Sequence, residues 1–389
     1  TPTTYVVTLK RGVLFHDGHE LTSADVVYTF RSFLDPDFVS PRKGGYRELR
    51  SVDASDRYTV VFTLKQPFTS FPINLVMPIV PDGSGVGLAA HPIGTGPYRF
   101  VRYAVDDKVE LQSFDQYFDG RPQNDGLVLK VIPDDIMRGL ELRKGTTDIV
   151  VNDLTPDIAH QLETDARLQQ VQAPGVDYQY LGLNLRDPVL KDVRVRQALA
   201  YAIDRGAIIN YLRRGLATPA VSLLPPLSWA FAPDVFSFPY DPAHAERLLD
   251  EAGYPDPDGS GPRLRFHLTL KTSSTLEYNR LQGAVVQQNL RAVGVDLEVL
   301  TYEFATLFSD VLKGNFQMYA LQWTAGALAD PDILRRVFHS TQTPPAGFNR
   351  GYFNNPRVDA LLDEAAASAD EAHRLALFQE VQRLIALEV

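Results

Sequence analysis

The sequence contains no cysteine, which removes disulfides, thiol nucleophiles, cysteine-ligated zinc and iron–sulfur clusters together. Long apolar runs are missing too: Phe71–Pro81 is among the longest, far short of the roughly 20 residues of a membrane-crossing helix, and proline interrupts it. Positive charge is in deficit, with 38 Lys and Arg against 48 Asp and Glu and a formal net charge of −10. Without a basic footprint for phosphates, nucleic acid is not an expected partner. Histidine is sparse, and the nearest approach to a metal pair, His16 and His19, flanks a tight Asp17-Gly18 turn. These read as surface histidines, and neither a metal nor another cofactor is expected.

Catalytic signatures are also lacking. Gly83-Ser84-Gly85-Val86-Gly87 has neither the spacing of a dinucleotide loop nor a preceding strand, and no lysine of the phosphate-loop type follows a glycine run. No Gly-x-Ser-x-Gly elbow occurs, so a serine hydrolase has no support. Asp256, Asp258 and Ser260 imitate the start of a calcium loop, but position twelve is His267 where the bidentate glutamate should be. Acidic pairs such as Asp134-Asp135 sit at helix starts, where they complement the dipole. A carboxylate pair serving as a cleft hydrolase stays open as an alternative.

What is present is a globular chain of 389 residues, 44% apolar and 22% charged, long enough for two or three compact units. Thr1 lies only a few residues before a strand and the last residues run out inside a helix, so a longer parent chain is expected. Tyr5–Leu9 alternates as a strand. A helix should start at Thr22, with Asp25 as its capping-box acid and Val26, Val27, Phe30 and Phe33 as its buried stripe. Strand-like segments around Val52 and over Tyr58–Leu64 complete a small unit that ends near Gly94-Thr95-Gly96-Pro97.

From Tyr98 to about Leu185, strands at Leu127–Ile132, Asp148–Val151 and Leu168–Gln172 alternate with helices near Asp134–Leu142 and from Thr155, an α/β pattern. Asp192 caps a helix reaching Asp204. Alternation at Leu264, Phe266, Leu268 and Leu270, a helix capped by Ser274 and stopped by Gly294, and alternation at Val295, Leu297 and Val299 spell a βαβ unit. A further helix, Phe304–Leu312, precedes a strand over Phe316–Leu321 that ends at Trp323. If the strands are parallel, Lys271 and Trp323 lie at carboxyl ends, where open α/β sheets place their ligands. The small residues of Gln322-Trp323-Thr324-Ala325-Gly326 would admit a ligand close to the backbone.

The order of these segments resembles the family 5 solute-binding proteins, which include dipeptide, oligopeptide and nickel binders. The resemblance runs through Val7–Val13, Phe15-His16-Asp17-Gly18, Leu21–Tyr28, Gly94–Tyr98, Asp192–Ala198, Ala202–Arg205, Tyr240-Asp241-Pro242, Leu248–Tyr254, Asp330-Pro331-Asp332 and Asn355–Asp359, nearly the whole chain.

It implies an α/β, type II periplasmic-binding fold: two hinged lobes that close on a ligand, plus a small extra subdomain. The expected boundaries are 1–93 for the subdomain, 94–186 for a partial lobe I and 187–389 for lobe II. The implied function is a non-catalytic receptor that delivers a peptide-like or other small solute to an ABC permease. It would act as a monomer in the periplasm or on the outer face of the cytoplasmic membrane, with any lipid anchor outside this sequence. A sensor or chaperone-like protein of the same fold is the other alternative. Trp323, Thr324, Ala325, Lys271, Arg350, Tyr352 and Tyr180 are the expected ligand contacts, with Lys271 near the place where relatives carry a carboxylate-binding arginine. In peptide-binding relatives an aspartate two residues after the tryptophan pairs with the ligand's ammonium. Here that residue is Ala325, so ordinary free-amine peptides are disfavoured.

Overall fold

Thr22 and Asp25 close both halves of a capping box at the start of helix α1 (Ser23–Arg31), as their three-residue spacing predicts. Val26, Val27 and Phe30 form its buried stripe. In this computed structural model, which describes residues 3–389 except 39, 41, 153, 260, 275–276, 324–329 and 346, α1 packs on a three-stranded antiparallel sheet. The strands are β1 (Thr4–Thr8), β2 (Leu49–Asp56) and β3 (Thr59–Leu64), with β3 central. Period-two alternation buries Val60, Phe62 and Leu64 on one face of β3, where Phe62 meets Phe30 edge-on at 5.0 Å between ring centroids.

His16 braces the glycine corner: Gly94 N–H donates to its Nδ1 at 3.3 Å, and its Nε2 lies 3.0 Å from the Gly96 carbonyl. A second antiparallel sheet follows, made of β4 (Tyr98–Ala104), β5 (Lys108–Ser113) and β6 (Gly126–Lys130) in sequence order. The sequence pattern marks β6, α2 (Asp135–Lys144) and α3 (Pro156–Leu162) but misses β4 and β5. Asp148–Val151 and Leu168–Gln172, expected as strands, are irregular. Among the described residues no strand pairs with them, and Ile149, Val151 and Val171 stay exposed.

The chain divides into two compact units, Thr1–Gln169 and Gln170–Val389. The first runs through the expected 93/94 boundary, and the division falls upstream of 186/187. The reason for the second difference is that β7 (Tyr178–Leu183) is hydrogen-bonded along its whole length to β10 (Met318–Trp323), which ties it to the later residues.

The second unit continues through α4 (Val193–Ala202), the single turn α5 (Arg205–Ala207) and α6 (Pro242–Glu251). The predicted βαβ unit is β8 (Phe266–Ser273), α7 (Glu277–Ala292) and β9 (Val295–Tyr302), with β8 and β9 parallel. Gly294 ends α7 at φ +83°, a left-handed conformation that favours glycine. After α8 (Phe304–Lys313), the strand expected over Phe316–Leu321 runs Met318–Trp323 and pairs parallel to β8, so Trp323 is its last residue. The sheet order is β7-β10-β8-β9. On one face Leu268, Leu270 and Met318 join Ala198, Leu249 and Leu290 from α4, α6 and α7. On the other, Tyr319 and Leu321 meet Leu307 and Val311 of α8. Three further helices, α9 (Ile333–Phe338), α10 (Pro356–Ala367) and α11 (Glu371–Glu388), share a separate core of Leu334, Leu362 and Phe378.

Candidate functional site

Antiparallel pairing places Trp323 opposite Tyr178, Leu321 opposite Tyr180 and Tyr319 opposite Gly182. Because side chains alternate along strands, these six residues share one face of the sheet, the face covered by α8. Tyr180 stacks on Tyr178 at 5.8 Å and meets Tyr319 edge-on at 5.8 Å. The group gathers around Arg350. Its guanidinium carbon lies 5.0 Å from the Phe308 ring centroid, 5.2 Å from that of Trp323 and 5.8 Å from that of Phe348. Its Nη1 donates a long 3.4 Å hydrogen bond to the Tyr180 hydroxyl.

The loop that carries Arg350 is fixed by its neighbour. The Asn349 amide donates to the His339 and Phe353 carbonyls at 3.2 and 2.7 Å and accepts from Phe353 N–H at 2.8 Å. Gly351 then hands its carbonyl to Leu185 N–H at 3.0 Å, which ties the loop to the end of β7.

Arg350 is only 8% exposed, and its Nε is buried without a hydrogen-bond partner. Among the described residues no carboxylate pairs with it. The nearby phenols do not supply an anion. Burial pushes the Tyr319 hydroxyl well above its ordinary value and Tyr178 up to about 12, so both are neutral at pH 7. The result is a cation sheathed in aromatic faces, a favourable arrangement for a guanidinium that leaves its net charge uncompensated.

Lys271 is placed differently. It sits level with Tyr319 across β8 and β10, four residues short of Trp323, or about 13 Å along the strand. Its Nζ lies 2.6 Å from Asp310 Oδ2 of α8 and 5.1 Å from the Tyr302 ring centroid. The hydrogen bond from Lys271, with the charges of Lys271 and Lys313 added, holds the Asp310 carboxyl below its ordinary range. A depressed carboxylate stabilises the fold above its unfolded pKa of about 3.9 and loses that contribution as pH falls through the lower folded value. Lys271→Met should therefore flatten the stability profile below pH 4 while leaving solute affinity within about threefold, because the ammonium is already engaged by Asp310. Denaturant titrations from pH 2 to 6 with a calorimetric binding check test this. A tenfold affinity loss would support Lys271 as a ligand contact.

Tyr352 does not join Arg350. At φ +60° it lies under the Arg186 guanidinium, 3.5 Å from ring centroid to guanidinium carbon, with its hydroxyl against Gly314, toward the amino end of β10. Thr324 and Ala325 lie outside the described residues. Sequence reasoning did not single out Phe308, Phe348 and Tyr319. The adjacency of Phe348 to Arg350 was the available signal, whereas Phe308 and Tyr319 read as ordinary core.

Residues 1–345 match the family model "Bacterial extracellular solute-binding proteins, family 5 Middle". The chain belongs to this family. Similar proteins include the "Heme-binding protein A" of Haemophilus influenzae, 29% identical over 98% of this chain and 74% of that one. The "Glutathione-binding protein GsiB" of Salmonella choleraesuis is 30% identical over 98% and 75%. The oligopeptide-binding protein AppA of Bacillus subtilis, solved in complex with a nonapeptide, superposes with a TM-score of 0.87 at 30% identity, covering 100% of this chain and 80% of that one. The fold is thus the type II periplasmic-binding fold. The family 5 protein is a non-catalytic, extracytoplasmic solute-binding receptor that works with an ABC permease, which sets the hydrolase alternative aside. Among the described residues no helix is long and apolar enough to cross a membrane.

Proposed function

We propose that this receptor binds its solute against the aromatic face built by Trp323, Tyr180 and Arg350 at the carboxyl end of β10. The observation that carries the reading is the buried, acid-free Arg350 among four aromatic rings. Open α/β sheets bind ligands outside strand carboxyl ends, and specificity there rests on a few convergent polar groups set in apolar walls. Lys271 serves to anchor α8 through Asp310, and Tyr352 supports the loop from the far side. The relatives' solutes, named as heme, glutathione and a nonapeptide, differ enough that none transfers to this chain by similarity alone. In this reading the protein works as a monomer at the outer face of the cytoplasmic membrane.

Trp323→Ala should weaken binding of the solute at least tenfold, since aromatic anchors in desolvated positions carry about 2 kcal/mol or more. A thermal-shift screen with di- to pentapeptides, oligosaccharides, opines and metal chelates identifies a binder through its stabilisation of the native state. Calorimetry on the variant then measures the loss. A binder whose affinity is unchanged by Trp323→Ala would move the site elsewhere.

A further inference from the structure

We infer that His339 is a pH-responsive positioning residue: its neutral ring fixes the turn that carries Asn349 and Arg350, and a second proton on that ring loosens the turn. This device presupposes that the solute is held against Arg350 and Trp323, and it adds a means of releasing it.

His339 follows the last residue of α9 and is only 8% exposed. The Thr341 N–H donates to its Nδ1 at 3.2 Å, and the Thr341 hydroxyl oxygen lies 2.9 Å from the same atom. A backbone N–H only donates, so Nδ1 is the acceptor and the single proton of the ring sits on Nε2. Nε2 is buried and makes no hydrogen bond, although Asp363 Oδ1 is 3.4 Å away. The carbonyl of His339 holds the loop: it accepts from Gln342 N–H at 2.9 Å and from the Asn349 amide at 3.2 Å, while the Gln342 carbonyl accepts from Asn349 N–H at 2.8 Å. Arg350 is the next residue.

A second proton can enter only at Nδ1, which then no longer accepts. The Thr341 N–H loses its partner and faces a cation. Among the charges on the surrounding elements, α10 presents Asp359, 3.9 Å from Nδ1, together with Asp363. Arg335 and Arg336 of α9 are engaged by Asp332, and Arg350 is sheathed in its rings. The protonated ring is therefore drawn toward α10 and away from Thr341. Asp359 also accepts from Ser340 N–H at 3.0 Å, so the movement passes through the whole 339–342 turn to Asn349 and Arg350. Histidines change charge between about pH 5 and 8. Solute affinity accordingly falls with acidification, by at most about tenfold per pH unit for one linked proton.

The test reads the free protein. In a Trp229→Phe background Trp323 is the one remaining tryptophan. Its ring lies 5.3 Å from that of Phe348 and 5.2 Å from the Arg350 guanidinium carbon, so acrylamide quenching of its emission follows the loop. Quenching should rise on acidification in one step about two pH units wide, in the range where a single histidine titrates. His339→Gln, which has no group that titrates there, should abolish the step. Asp363→Asn removes a charge that favours the protonated ring and should move the step to lower pH; its side chain is 70% exposed, so folding is spared. No step in the background protein, or one that His339→Gln leaves in place, overturns the inference. If His339→Gln does not fold, Asp363→Asn decides: a midpoint shifted to lower pH supports the inference, and an unshifted one overturns it. With no solute present, a wrong site leaves this step intact and shows instead as unchanged solute affinity in Trp323→Ala.

Discussion

Asp25→Ala is expected to destabilise the first unit by about 2–3 kcal/mol, because the fully buried acceptor of the α1 capping box is lost and a cap residue or a hydrogen bond to a charged group is worth roughly 1–3 kcal/mol. The Asp25 side chain is fully buried. Its Oδ2 accepts from the Thr22 N–H at 2.8 Å and from the Thr22 hydroxyl at 3.0 Å. Its Oδ1 accepts from Asp82 N–H at 2.9 Å and faces His19 Nε2 at 3.2 Å. One carboxylate thus closes the start of α1 and also pins the segment after Val80, whose own N–H donates to Thr29 of the same helix at 3.1 Å. Asp25→Asn keeps one acceptor oxygen and should recover about half of the loss. Both tryptophans, Trp229 and Trp323, lie in the second unit, so the effect should be read by hydrogen exchange at the amides of residues 22–31 under increasing urea. Unchanged exchange in α1 would mean that the packing of its Phe30 on Phe62 carries the unit without this carboxylate.

The same residue illustrates how much of the molecule is legible in the sequence. Thr22 and Asp25 are local partners three residues apart, and their reading as a capping box needs no knowledge of the rest of the chain. The βαβ unit from β8 to β9 is legible for the same reason: period two, then period 3.6, then a glycine stop, all within one contiguous stretch. The antiparallel β4 and β5 are not, because Val101 and Tyr103 of β4 are exposed and the apolar residues do not distinguish an inner face. Site residues divide along the same line. Trp323 and Arg350 stand out by type and neighbourhood. Lys271 also stands out, but its partner Asp310 is 39 residues away, and only the packing of α8 on the sheet reveals that the charge is already taken. Tyr319 joins the proposed site through strand register and Phe308 through the packing of α8 on the sheet, neither of which a linear pattern encodes.

Register also makes Gly182 a determinant of the site, and Gly182→Ala should both destabilise the second unit and damage binding. A Cβ at this position would stand 2.3 Å from Tyr319 Cζ and 2.7 Å from its hydroxyl oxygen, well inside any tolerable contact. The Tyr319 ring lies across the glycine because the two residues are cross-strand partners. It cannot swing aside cheaply, being held edge-on by Phe316 at 4.8 Å and by Tyr180 at 5.8 Å. Overpacking of this kind typically costs about 1–3 kcal/mol, and the upper end is expected here because the ring is only 3% exposed. Relief requires either a shift of β7 away from β10 or a displacement of Tyr319 toward Tyr180 and Arg350. Either movement reaches the guanidinium, so solute affinity should fall as well, by an amount that Tyr319→Phe alone does not reproduce. A double variant, Gly182→Ala with Tyr319→Leu, makes room for the methyl group and should recover most of the stability. Denaturant unfolding followed by the fluorescence of Trp229 and Trp323, both in the second unit, measures the stability of the two variants. If the single variant is as stable as the parent, Tyr319 is not locked and the aromatic face is softer than its packing implies. If the double variant fails to recover, the strain lies in the backbone pairing of β7 with β10, and the glycine serves the strand instead of the ring.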